Sequence, residues 1–401
     1  MIRSRALPVL LSLAFACNLF APPLSASAQD VTITINPGSS GETGQSDQAP
    51  FTGDRPAVDV AILLDTSNSM DGLIHQAKNQ LWNIVQRFAK ARKAGKTPQL
   101  RVSIFEYGNS GLPASEDYIR QVVPLTDNLD KVSEALFALT TSGGDEYCGA
   151  VINEAIKRLD WSSEPNAYQA IFIAGNEPFT QGPVNYDDAC KNAIGEGVIV
   201  NTIHCGNYDQ GVRGQWQAGA ALAEGKFLNI NQDEKVVHRK TPQDKIIIQL
   251  NAELNKTYLW FGAADRRRGY ATNQAAQDAN AGSGLSSRAA IKSSSLYSNV
   301  GRDLVDTYAE DADAITKLES EELPVELQKL TPEERVERIE AMSKKRAEIK
   351  KKLAELSRER QQYIDAQEAA SAATPGPATL GDAITEAVEV QLQASGFQVE
   401  N

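Results

Sequence analysis

The chain has 401 residues, with 40 basic against 52 acidic side chains and a formal net charge of −12. Such a balance excludes a basic, nucleic-acid-binding surface as the organising feature and suits a solvated face that attracts cations. Hydrophobic residues make up 41 %, and beyond the amino-terminal leader no run reaches the ~18 apolar residues that a membrane span requires.

Arg3 and Arg5, the apolar run from Leu7 to Phe20 and the small residues Ala26-Ser27-Ala28 read as a secretory signal peptide over residues 1–28. The mature protein is then expected to be secreted or periplasmic, with 38 basic against 52 acidic residues and a charge of −14. Cys17 offers a lipoprotein alternative, but Ala14 stands where such signals carry Leu. Residues 29–56, rich in Gly, Ser, Thr, Asp and Pro, read as a flexible leader.

From Val58 strands and helices alternate, the pattern of a parallel sheet covered by helices. Val60 to Leu64 is a continuous apolar run, as in a strand buried on both faces. Leu73, Ile74, Ala77, Leu81, Ile84, Val85 and Phe88 then recur at helical spacing. Further strands are expected at Leu100–Tyr107, Tyr118–Leu125 (short, antiparallel at an edge), Tyr168–Ala174, Val198–Cys205 and Lys226–Ile230, with helices over Leu129–Leu139, Cys148–Leu159, from Asn185 and over Trp216–Ala223. Thr241-Pro242 opens the last helix of a domain that covers residues 57–262. The expected fold is α/β: a doubly wound, mostly parallel six-stranded sheet with an α-helical carboxyl-terminal extension.

Between the first strand and its helix stand Asp65, Ser67 and Ser69. One carboxylate and two hydroxyls are thus presented at the carboxyl end of a central strand, where open α/β sheets place their ligands. These hard oxygen donors suit Mg²⁺, Mn²⁺ or Ca²⁺ better than zinc, although Asp and Ser also cap helices in the absence of any metal.

Asp-x-Ser-x-Ser after a buried first strand resembles the metal-ion-dependent adhesion site of von Willebrand factor type A domains, and GGDEYCG, IFIAGNEPFTQGPV and VNTIHCG resemble a secreted bacterial branch of that family. The resemblance implies a Rossmann-like sheet and a divalent-cation site fed by three loops, two of which depart from the family pattern. After Gly143-Gly144 the family usually has Thr, whereas this chain has Asp145-Glu146. In the third loop Gly175 replaces an Asp, and Asn176 or Glu177 is expected to compensate. As a plainer alternative, Asp145 and Glu146 cap the helix near Cys148.

Three cysteines follow the signal, allowing one bridge and one leftover thiol in an exported protein. Cys190–Cys205 is the first choice, with Cys148 paired to either as the alternative. A zinc site of Cys148, His204 and Cys205 is disfavoured because adjacent strand residues point to opposite faces.

Residues 263–298 have too few large apolar side chains for a core of their own and are expected to lie as helices against the first domain. Thr331-Pro332-Glu333-Glu334 starts a long charged helix over 331–370 within an extension spanning 263–370. Its narrow apolar stripe is broken by Arg346 and Arg360. It is expected to dock on its own chain through turns anchored by Leu323, Val325, Leu327 and Leu330, with part projecting for helix-mediated assembly; a coiled coil is the alternative. Residues 371–401 read as linker and tail, with a short amphipathic helix at Gly381–Ala394 before a frayed end.

None of the usual catalytic arrangements is present: His75, His204 and His238 fit no zinc-protease spacing, and there is no nucleophile elbow or phosphate loop. The expected function is non-enzymatic. The bound cation accepts a carboxylate from an envelope or extracellular protein; the alternative is a metal-free structural envelope protein whose sheet scaffolds its carboxyl-terminal helix.

Overall fold

The computed structural model describes residues 55–234, 238–371 and 379–399. The signal peptide, nearly all of the leader and the linker at 373–377 lie outside these residues.

The chain runs β1 (Ala57–Asp65), α1 (Asp71–Ala89), β2 (Ala91–Arg92), β3 (Gln99–Tyr107), β4 (Ile119–Thr126), α2 (Leu129–Ala138), α3 (Cys148–Arg158), β5 (Tyr168–Gly175), α4 (Tyr186–Gly195), β6 (Ile199–Cys205), α5 (Tyr208–Arg213), α6 (Trp216–Leu222) and β7 (Phe227–Ile230). Helices follow: α7 (Asp244–Asn255), α8 (Ala264–Asn280), α9 (Leu285–Ser293), α10 (Leu304–Glu310), α11 (Val325–Gln328), α12 (Pro332–Ser371) and α13 (Leu380–Ala394), ending on β8 (Gln398–Val399).

The six-stranded sheet has the order β4-β3-β1-β5-β6-β7, parallel except for the edge strand β4. β1 is central because it is apolar on both faces. Val58, Val60 and Leu64 enter one core with α1, α2 and α13, while Ala61 and Leu63 enter the other with α3, α4 and α6.

That alternation separates the cysteines. Cys205 belongs to the core on the α1 side, Cys148 and Cys190 to the opposite one, and all three are buried free thiols. The Cys190–Cys205 bridge is therefore corrected: the sheet itself stands between the two sulfurs.

Polar helices are held by buried charge in addition to their few apolar contacts. Arg288 on α9 binds Asp130 of α2 at 2.7 Å and Asp278 of α8 at 2.6 Å, while Lys292 adds a second contact to Asp278 at 3.3 Å. α12 is anchored in the same way. Arg346, expected to interrupt its stripe, is buried and bonds Asp303 and Asp306 at 2.6 Å each, and its guanidinium stacks 4.2 Å from the Tyr258 ring.

Around Arg346, Ile339, Ile349 and Leu353 are buried against the same chain, and Arg360 binds Asp244 at 2.9 Å. The segment expected to project is thus docked through residue 360. Leu323 and Leu327 anchor the preceding turns as expected, whereas Val325 is exposed.

The tail is also corrected. α13 enters the core through Leu380, Ile384, Val388 and Leu392, and β8 pairs antiparallel with β2 instead of fraying. Two buried glutamines of α1 receive its first turn: Gln76 Oε1 accepts the Leu380 N–H at 2.8 Å and Gln80 Oε1 accepts the Gly381 N–H at 2.6 Å. No helix among the described residues is long and apolar enough to cross a membrane.

Candidate metal centre

The sheet order reverses at β1, with β3 on one side and β5 on the other, so the crevice at their carboxyl ends is a topological switch point. Asp65 is the last residue of β1, in register with Tyr107 of β3. Its side chain is wholly buried. Oδ1 accepts the Ser67 N–H at 2.8 Å, which tightens the turn, while Oδ2 is shielded from solvent and has no hydrogen-bond partner.

Ser67 Oγ and Ser69 Oγ lie 3.0 Å apart, and Asn176 from the loop after β5 donates to Ser69 Oγ at 3.2 Å. The loop before α3 crosses beneath them. The Ser142 N–H bonds the Thr66 carbonyl at 3.0 Å, and a Cβ on Gly144 would stand 2.6 Å from the Gly108 carbonyl oxygen. Only glycine lets these strands of backbone approach so closely.

Of the two acids in that loop, the fold turns one inward. Glu146 is buried beside Asp65 and Ser67, whereas Asp145 is exposed and accepts from the Tyr147 hydroxyl at 3.2 Å. Glu177 is half-buried and accepts from Gln181 at 3.2 Å. No group of three His, Cys, Asp or Glu side chains is disposed for a metal among the described residues, so Asp145 and Glu177 do not join Asp65 and Glu146 at one point. The arrangement is two carboxyls plus two hydroxyls.

Burial pushes the Asp65 carboxyl up to about 6, opposed by its Ser67 hydrogen bonds and reinforced by the charge of Glu177. Burial, then the charge of Asp65, pushes Glu146 up to about 7. Each acid is thus acted on by other acids. An orphaned carboxylate oxygen, a second buried carboxyl and two hydroxyls fit a hard divalent cation, which would supply the missing positive charge.

Two neighbours shape this site without any sequence signal to announce them. Tyr107 donates to the Ala174 carbonyl at 3.0 Å. A Cβ on Gly175 would come within 2.5 Å of its hydroxyl and 3.1 Å of Asp65 Oδ2. The tyrosine hydroxyl therefore takes space that a side chain at Gly175 would need. Gly108, at φ +78°, leaves room for Glu146, whose Cγ a Cβ there would meet at 2.8 Å.

Residues 59–217 match the family model of the von Willebrand factor type A domain. This part of the chain is a type A domain. Similar solved structures include proximal thread matrix protein 1 from the mussel byssus (17 % identity, TM-score 0.35, 45 % of this chain and 43 % of that one). A further structure of the mussel protein has zinc in its metal-ion-dependent adhesion motif (16 % identity, TM-score 0.35, the same coverage). The conserved hypothetical protein BatB from Bacteroides thetaiotaomicron is similar at 16 % identity and TM-score 0.34, over 44 % of this chain and 91 % of that one. The chain thus spans under half the length of the mussel protein. No curated protein sequence matches it.

Proposed function

We propose that the protein is an exported binding module whose type A domain holds a divalent cation and, through it, a carboxylate of a partner protein at the cell envelope or outside the cell. It works by binding rather than by catalysis. The observation that carries this reading is the pair Asp65 and Glu146: two buried carboxyls side by side, one with an unpartnered oxygen, acted on by acidic rather than basic neighbours. Asp65, Ser67, Ser69 and Glu146 would hold the ion, with Asn176 positioning Ser69. When bound, the ion offers an open coordination position to a carboxylate. Mg²⁺ or Mn²⁺ suits the donor set best, with Ca²⁺ less constrained in geometry.

Export is supported by the leader sequence, and the acidic charge fits a cation-dependent surface. The alternative, a metal-free scaffold presenting its long helix, needs that helix free; α12 is instead pinned along residues 339–360.

The test is thermal unfolding of the mature protein with and without millimolar Mg²⁺ or Mn²⁺. Wild type should be stabilised, since an ion that binds only the folded state raises its stability by mass action. Asp65→Ala should fold yet lose most of the shift. A wild-type melting temperature indifferent to both ions sinks the reading; where the shift is seen, recovery of partners from envelope extract with and without chelator identifies the ligand.

A further inference from the structure

Beside the metal centre lies an open pocket of about 560 Å³ that the reading above does not use. Asn176 and Glu177 from the loop after β5 form one side; Gln210 and Arg213 on α5, together with His204 and Trp216, line much of the rest. His204 is 2 % exposed, and its Nδ1 has no hydrogen-bond partner. Its ring packs edge-on against Trp216, which is itself fixed by donating to the Glu177 carbonyl at 2.8 Å. The rim carries the exposed Arg213, whose guanidinium makes no hydrogen bond or ion pair to a described residue. A rigid polar floor and an uncommitted cation therefore stand next to the Ser69–Asn176 wall of the metal centre.

Resting on the metal-site reading, we propose that this pocket is a second subsite for the same ligand, taking a second carboxylate from an acidic peptide segment whose first carboxylate goes to the metal. The sheet supplies the spacing. Asp65 ends β1, Asn176 and Glu177 follow β5, and Arg213 follows β6, so two strand intervals of ~4.8 Å separate the metal motif from the α5 loop. An extended peptide covers roughly 10 Å in about three residues at ~3.3 Å each. Glu177, in the middle, repels an acid directly adjacent to the metal-bound one. The subsite thus selects acids two to four positions apart over a contiguous pair or a lone acid, and Arg213 supplies the planar fork that a carboxylate prefers.

Fluorescence anisotropy with labelled eight-residue Gly/Ser peptides tests this, using peptides with one Asp, or an Asp plus a Glu separated by zero to four residues, in Mg²⁺ and in chelator. Wild type should bind the spaced diacidic peptides about tenfold more tightly than the single-acid peptide. Arg213→Glu should abolish that gain while keeping the single-acid affinity and the Mg²⁺-dependent melting shift. Equal affinity for all peptides, no binding of any peptide, or a gain that survives Arg213→Glu overturns the subsite. If the melting shift persists in those cases, the metal reading stands without it. Conversely, an Arg213-dependent preference that persists in chelator keeps the subsite and removes the metal.

Discussion

Burial, with acids for neighbours, pushes the Asp65 carboxyl up to about 6 and the Glu146 carboxyl up to about 7 in the absence of metal. A carboxyl raised on folding contributes stability that is full below its unfolded pKa and is lost as pH rises through the folded one. Between about pH 4 and about pH 7 the chelated protein should therefore lose this contribution as the solution becomes more basic. Glu146→Gln removes the charge but keeps the shape, so in chelator it should melt above wild type at pH 8 and converge with it near pH 5, whereas in Mg²⁺ the order reverses. Melting curves in both conditions check this; a Glu146→Gln curve parallel to wild type at every pH would show that Glu146 carries no buried charge. Gly175 gives a second expectation. Restoring the family's acid with Gly175→Asp should weaken the fold instead of strengthening the site, since the new Cβ meets the Tyr107 hydroxyl and the new carboxylate adds to Asp65. A Gly175→Asp protein of unchanged melting temperature in chelator would refute the role given to Tyr107. The primary motif was legible because a turn that closes a buried strand needs short oxygen-bearing side chains. Which of Asp145 and Glu146 faces inward was not, because that depends on the path of an irregular loop over Gly108. The role of Tyr107 was not legible either, because an aromatic at a strand end carries no mark of what its hydroxyl will meet.

At the level of elements, the sheet strands were readable because parallel strands buried on both faces are nearly continuous apolar runs. The placement of α8, α9 and α12 was not readable, because their anchors are charges that look like solvated residues until their partners are known. Arg346 shows the consequence. Expected to interrupt an apolar stripe, it is the residue that fixes the helix, its charge matched by Asp303 and Asp306. Removing one member of a buried ion pair leaves the other unpaired, at a cost of about 3–5 kcal/mol. Arg346→Ala should lose stability on that scale in denaturant unfolding, and trypsin should then cut α12 between Lys344 and Arg360, sites that stay intact in wild type because cleavage requires local unfolding. A loss under about 1 kcal/mol would mean that the pair is open to water.

For the whole molecule, the family match ends at residue 217 while the packed unit does not. Leu380, Ile384, Val388 and Leu392 share one core with Val60, Phe172 and Ile203, and each such side chain is worth roughly 1.5–3 kcal/mol when buried. The proposed boundary at residue 262 would therefore expose the α1 face of the sheet. A chain ending at Ser371 should bind hydrophobic dyes and unfold without a sharp transition. Adding a synthetic peptide of residues 379–399 in trans should restore cooperativity; failure of both effects would show that α13 is dispensable.

The Leu380–Gln76 contact joins residues 304 positions apart, so completing the core requires a very long loop to close. Until that loop closes, the α1 side of the sheet has no lid. The α1 face is therefore the slow half of the fold, and it closes only when α13 arrives to complete the core.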